Sequence, residues 1–109
     1  MSEETEKTQE QEPIETPQDL PLPEPSIKSL VSGLAAQAMM SLGFFPNPVD
    51  GKTEIRLHQG RHLIETVALL ETKTKGNLTD EETNTLANAL HELRMMYVAA
   101  KEEFEKRKG

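Results

Sequence analysis

Cysteine and tryptophan are absent from this chain, and its 109 residues include one tyrosine and three phenylalanines. With no cysteine, disulfides and thiolate zinc sites are excluded outright, which fits a reducing compartment. No apolar run approaches the roughly 18 residues that a membrane-spanning helix requires. The opening Met1-Ser2-Glu3-Glu4 lacks the basic and apolar regions of a secretory signal, so the expected location is cytoplasmic. Without an export signal, the sequon-like Asn77-Leu78-Thr79 is read as coincidence. A basic surplus is missing as well: 12 Lys and Arg stand against 19 Asp and Glu. Nucleic acid is therefore not an expected partner, because phosphate binding needs clustered cations. Lys106-Arg107-Lys108 is a local cluster that complements the negative end of a helix.

What charge there is, is sorted by position. Residues 1–25 hold eight acids and one base, the whole of the net −7, and the eleven acids and eleven bases that follow cancel. Between positions 29 and 49 there is no charged residue at all. Residues 1–25 also hold five of the seven prolines. Such a segment buries too little apolar surface to offset its ordering entropy. The expected organisation is a disordered acidic, Pro- and Glu-rich tail over 1–25 and a helical domain over 26–109. The tail reads as a solubilising leader, with a linear motif for an unidentified protein partner at Ile14 or Leu20 and Leu22 as the alternative. A core of about 84 residues stabilises a fold by only roughly 3–5 kcal/mol unless oligomerisation adds to it.

Three helices are legible in the periodicity. Ser26 is a good N-cap, and Ile27, Leu30, Val31, Leu34, Ala35, Ala38, Met39 and Leu42 form one apolar face, with Gly43 at the C′ position. The opposite side carries Ser29, Ser32, Gly33, Ala36 and Met40. A helix with no charged face is usually surrounded by protein, and small residues let a second backbone approach. A connector follows, with Pro46, Pro48 and an Asp50-Gly51 turn signal, and Phe44 and Phe45 are expected to lid one end of the core. Gly51-Lys52-Thr53 resembles the end of a phosphate-binding loop. That loop needs a glycine where Pro46 stands and a strand where a helix is expected, so the nucleotide reading is rejected.

The second helix is expected over 58–74, with Leu63, Val67, Leu70 and Thr74 as its stripe, widened by Gly60 and Ile64, and with Gly76 as its C′ residue. Thr79 and Glu82 form a capping box that opens the third helix, and the short join makes an antiparallel hairpin. The third helix, over 80–106, shows a seam of Leu86, Leu90, Leu93, Tyr97, Ala100 and Phe104 at alternating steps of four and three. At about 1.5 Å per residue it is roughly 40 Å long, against roughly 24 Å for the others. Its last third is expected either to fray or to pack on another chain.

The run Lys73-Thr74-Lys75-Gly76-Asn77-Leu78-Thr79, followed by Glu81-Glu82, resembles a small bacterial family called domain of unknown function eighteen forty-four. Leu42-Gly43, Pro48, Gly51-Lys52 and Leu93-Arg94 with Tyr97 share in that resemblance, which covers about residues 27–100. It implies a small, mostly helical bacterial protein with no established activity. His58 and His62 depart from the Pro and Gln expected in the family's second helix, which weakens any shared role for them.

His58, His62 and Glu65 share a helix face at i, i+4 and i+7, a spacing that two zinc-ligating histidines can use. The pattern is not that of a zinc protease, and a solvated polar face is the preferred reading, with no metal and no cofactor. Glu81/Glu82 and Glu102/Glu103 read as cap and solvated face, and no serine has the context of a nucleophile. No catalytic residue is named. The expected molecule is an all-α module of one helix, a long connector and an antiparallel hairpin with a long last helix. Its expected role is that of a non-enzymatic interaction module that dimerises through Ser29, Gly33, Ala36, Met40, Tyr97, Ala100 and Phe104. One alternative is a small-ligand binder or enzyme with a pocket near Phe44, Phe45, Arg94 and Tyr97. Another is binding of a membrane or a partner's helix through residues 27–42.

Overall fold

A computed structural model describes residues 21–22 and 24–108. Most of the expected acidic tail, residues 1–20, lies outside them. Three helices follow in order: α1, Ile27–Ser41; α2, Leu57–Lys73; and α3, Asp80–Lys108. Among the described residues there is no strand, and no helix is long and apolar enough to cross a membrane. The fold is all-α.

Each helix end has a local cause. Ser26 is the N-cap of α1, its hydroxyl accepting the Ser29 N–H at 3.0 Å. At the other end the Gly43 N–H donates to the Met40 carbonyl at 3.1 Å and the Phe44 N–H to the Met39 carbonyl at 2.9 Å. These two bonds make a Schellman motif, which requires a left-handed residue at C′, and Gly43 has φ 87. α2 ends one residue earlier than its glycine suggests. Thr74 is the C-cap, and Gly76 sits instead in a turn closed by the Asn77 N–H on the Thr74 carbonyl at 2.9 Å. At the start of α3 the Glu82 N–H donates to Thr79 Oγ1 at 3.0 Å, and the Thr79 N–H donates to Glu82 Oε1 at 2.9 Å.

The three helices pack mutually, each against the other two. Their core is Val31, Ala38 and Leu42 from α1, Leu63, Ile64 and Val67 from α2, and Leu86, Leu90, Leu93 and Ala100 from α3. Gly60 lets Leu42, at the end of α1, sit close against α2: a Cβ there would lie 2.5 Å from Leu42 Cδ2. Leu30 departs from the expected apolar face and stands 48% exposed, because it lies on the edge turned away from the core.

The connector solves the problem of the long third helix. The Arg56 N–H donates to the Ser41 carbonyl at 2.6 Å, which brings the connector back to the end of α1. Ile55 packs on the core cluster, and Thr53, Glu54 and Ile55 share a cleft with Phe104 and Arg107. Phe104 and Arg107 in the last third of α3 thus border the chain's own connector, while Phe104 stays 37% exposed.

Candidate functional site

α1 turns Val31, Ala38 and Leu42 inward, and Leu30, Ser32, Gly33, Ala36 and Gln37 outward, with Ser29 and Met40 half-buried. This outer face has no charged group after Lys28. Glycine inside a helix costs roughly 0.5–1 kcal/mol relative to alanine, so each helical glycine asks for a reason. Gly60 has one in Leu42 of the same chain, whereas a Cβ on Gly33 would meet nothing within 4 Å. The packing of the described residues gives no reason for glycine at 33.

The other residues expected at an interface are placed differently. Ala100 is 3% exposed and belongs to the core, so a second chain cannot reach it. Tyr97 is half-buried against the same cluster, and Phe104 borders the connector. Phe44 and Phe45 do not lid the core. The turn at Gly43 sends them outward, 45% and 48% exposed, and Ile55 closes that end, its Cγ1 2.9 Å from where a Gly43 Cβ would stand. The two phenylalanines extend the uncharged surface of α1 instead.

A second feature is a polar cavity of about 100 Å³ between α1, the connector and the start of α2. Its walls are Gln37, Met40, Ser41, Asn47, Asp50, Lys52, Glu54, Arg56 and Gln59. The connector is braced around it. The Val49 N–H donates to Asn47 Oδ1 at 2.8 Å and the Lys52 N–H to Asp50 Oδ1 at 3.0 Å. The Asn47 N–H donates to the Lys52 carbonyl at 2.8 Å. Arg56 and Glu54 form an ion pair at 2.6 Å. Periodicity does not reveal this cavity, since its residues come from three elements. The available signal was the pair Asn47 and Asp50, each two residues before the N–H it accepts, as Asn and Asp do in turns.

Arg94 and Tyr97 lie elsewhere, in a groove of about 360 Å³ between α2 and α3 that Arg61, Ile64, Glu65, Ala68 and Val98 complete. Phe44 and Phe45 take no part in it, so the single pocket expected from these four residues resolves into separate places. His58, His62 and Glu65 are all exposed, and Glu65 faces Arg61 at 3.6 Å. Among the described residues no group of three or more His, Asp or Glu is placed to hold a metal ion. Glu82 is committed to the cap of α3, and Glu103 pairs with Arg107 at 3.0 Å.

These features define a three-helix module whose distinguishing parts are an uncharged outer face on its first helix and a braced polar cavity at that helix's end. The chain belongs to the family described as Domain of unknown function (DUF1844), which matches residues 24–99. The matched span contains α1, the connector and α2 whole. No curated protein and no solved structure matches the chain.

Proposed function

We propose that the protein is a non-enzymatic interaction module that self-associates as a dimer through the outer face of α1. The observation that carries this reading is Gly33, a helical glycine for which the packing of the described residues has no use. A second backbone approaching at that point supplies the missing reason, and Ser29, Ala36 and Met40 beside it are small or flexible enough to let it in. Ala100 is buried in the chain's own core, whereas Phe104 at the end of α3 stays exposed beside the connector. Electrostatics favours a copy of the same chain as the occupant. A two-fold contact sets a patch against itself, and a patch without charge meets no like-charge repulsion there.

Sedimentation equilibrium on the full chain tests the proposal. A dimer at tens of micromolar is expected, with Gly33→Leu monomeric and still helical, because the added side chain enters open space in the monomer. A monomeric parent chain would sink the proposal. Residues 27–42 binding a membrane would show instead as a monomer that floats with liposomes.

A further inference from the structure

The polar cavity at the end of α1 contains a buried hydroxyl for which the helices supply no partner. Ser41 is the buried polar residue of the core region, 7% exposed, and it lines this cavity. Helical hydroxyls commonly bond back to the carbonyl four residues earlier. Thr66, Thr72 and Thr74 do so, on His62, Ala68 and Leu70. Ser41 Oγ makes no such bond and has no partner among the described residues. A buried hydroxyl left unpaired costs more than an ordinary hydrogen bond contributes, so a polar group from outside the chain belongs beside it.

The walls say which kind. They carry Lys52 and Asp50, the Arg56–Glu54 ion pair, and the amides of Gln37, Asn47 and Gln59. A simple anion meets two carboxylates there, and a simple cation meets two bases. A ligand with both charges and no net charge is matched by both sets. A cavity of about 100 Å³ exceeds the space of a single water several-fold, which suits a solute of a few heavy atoms. We propose that the cavity binds a small zwitterion of the free α-amino acid class, its carboxylate toward Lys52 and Arg56, its ammonium toward Asp50 and Glu54, and Ser41 Oγ bonded to its polar end. All the walls come from one chain, but Gln37 and Met40 also belong to the outer face of α1, so binding is measured at a dilution that holds the chain monomeric.

The test is an amide chemical-shift titration of the full chain with glycine and L-alanine, beside acetate, methylammonium and glycerol as probes of each half and of a neutral polyol. Saturable shifts at Ser41, Asn47, Lys52 and Arg56 with the amino acids, and much weaker ones with the other three, are expected. Lys52→Met and Asp50→Asn each remove one charge from an exposed side chain, and each should weaken binding roughly tenfold. Ser41→Ala should weaken it as well while leaving α1 helical. Equal response to acetate, methylammonium or glycerol overturns the zwitterion assignment. No saturable response to any probe means that water alone serves Ser41, and that overturns the site.

Discussion

One substitution, glycine to alanine, should have opposite signs in α1 and α2. At position 60 the new Cβ would lie 2.5 Å from Leu42 Cδ2 and 2.9 Å from its Cγ, where carbons ordinarily rest at about 3.5–4.0 Å. Leu42 is 1% exposed, so α1 and α2 must separate or Leu42 must change rotamer within the packed core. Overpacking of this kind costs about 1–3 kcal/mol, offset by the roughly 0.5–1 kcal/mol that alanine adds in a helix. The net loss, about 1 kcal/mol at the middle of that range, corresponds to a fall of roughly 4–8 °C in a domain of this size. At position 33 no contact opposes the methyl, and only the helix gain of about 0.5–1 kcal/mol remains. Thermal unfolding followed by circular dichroism, at a concentration dilute enough to hold the chain monomeric, should rank Gly33→Ala above the parent and Gly60→Ala below it. At high concentration the advantage of Gly33→Ala should shrink, because the methyl then obstructs the dimer. Gly60→Ala unfolding at or above the parent temperature would refute the reading of the α1–α2 contact.

Leu86 is fully buried, and Leu86→Ala should cost about 2–5 kcal/mol, most of the roughly 3–5 kcal/mol available to so small a core; a helical, cooperatively folded variant would contradict the assigned core. Thr79→Ala removes one half of the reciprocal cap on α3 and should cost roughly 0.5–2 kcal/mol in urea unfolding. Glu82→Ala combined with it should cost less than the sum of the two, since both act on one motif; strict additivity would show that the two bonds do not support each other. Removing residues 1–25 takes the net charge from −7 to zero and should lower solubility at neutral pH, read as turbidity against concentration; an unchanged solubility limit would deny the leader that role.

The helices were readable in the chain because each shows its period, and α1 and α3 also have marked starts. Leu86, Leu90 and Leu93 repeat at helical spacing and all three are buried. The Thr79 and Glu82 pair sets the start of α3, and Ser26 sets that of α1. What periodicity does not show is how irregular backbone is disposed. The stepped seam of α3 extends beyond the reach of α1 and α2, and a second chain was the simplest way to cover it. What borders its end is the connector, where Thr53, Glu54 and Ile55 share a cleft with Phe104 and Arg107, and the two-residue alternation of Thr53 and Ile55 is too short to register as structure. Phe44 and Phe45 misled in the same way: large apolar residues beside a helix end suggest a lid, but the left-handed turn at Gly43 decides their direction. The polar cavity was hidden because Gln37, Ser41 and Arg56 converge only once the connector has turned back on α1.

The sorted charge also bears on how two α1 helices would meet. Each α1 begins where an acidic leader ends, and each leader carries the full −7 of its chain. In a parallel pair the two leaders would start side by side and repel. In an antiparallel pair they would start about 22 Å apart, the length of a 15-residue helix, well beyond the roughly 8 Å over which charge is felt at physiological salt. Opposed helix dipoles favour the same arrangement. With Gly33 at the two-fold axis, Ser29 of one copy then faces Gln37 of the other. The chain has no cysteine, so single thiols placed there report the pairing without background. A mixture of Ser29→Cys and Gln37→Cys chains, oxidised gently, should give the mixed disulfide dimer in excess. A parallel pair would instead join 29 to 29 and 37 to 37 in each variant alone, and its affinity would rise steeply with salt. That outcome would remove the electrostatic argument while leaving the α1 contact in place.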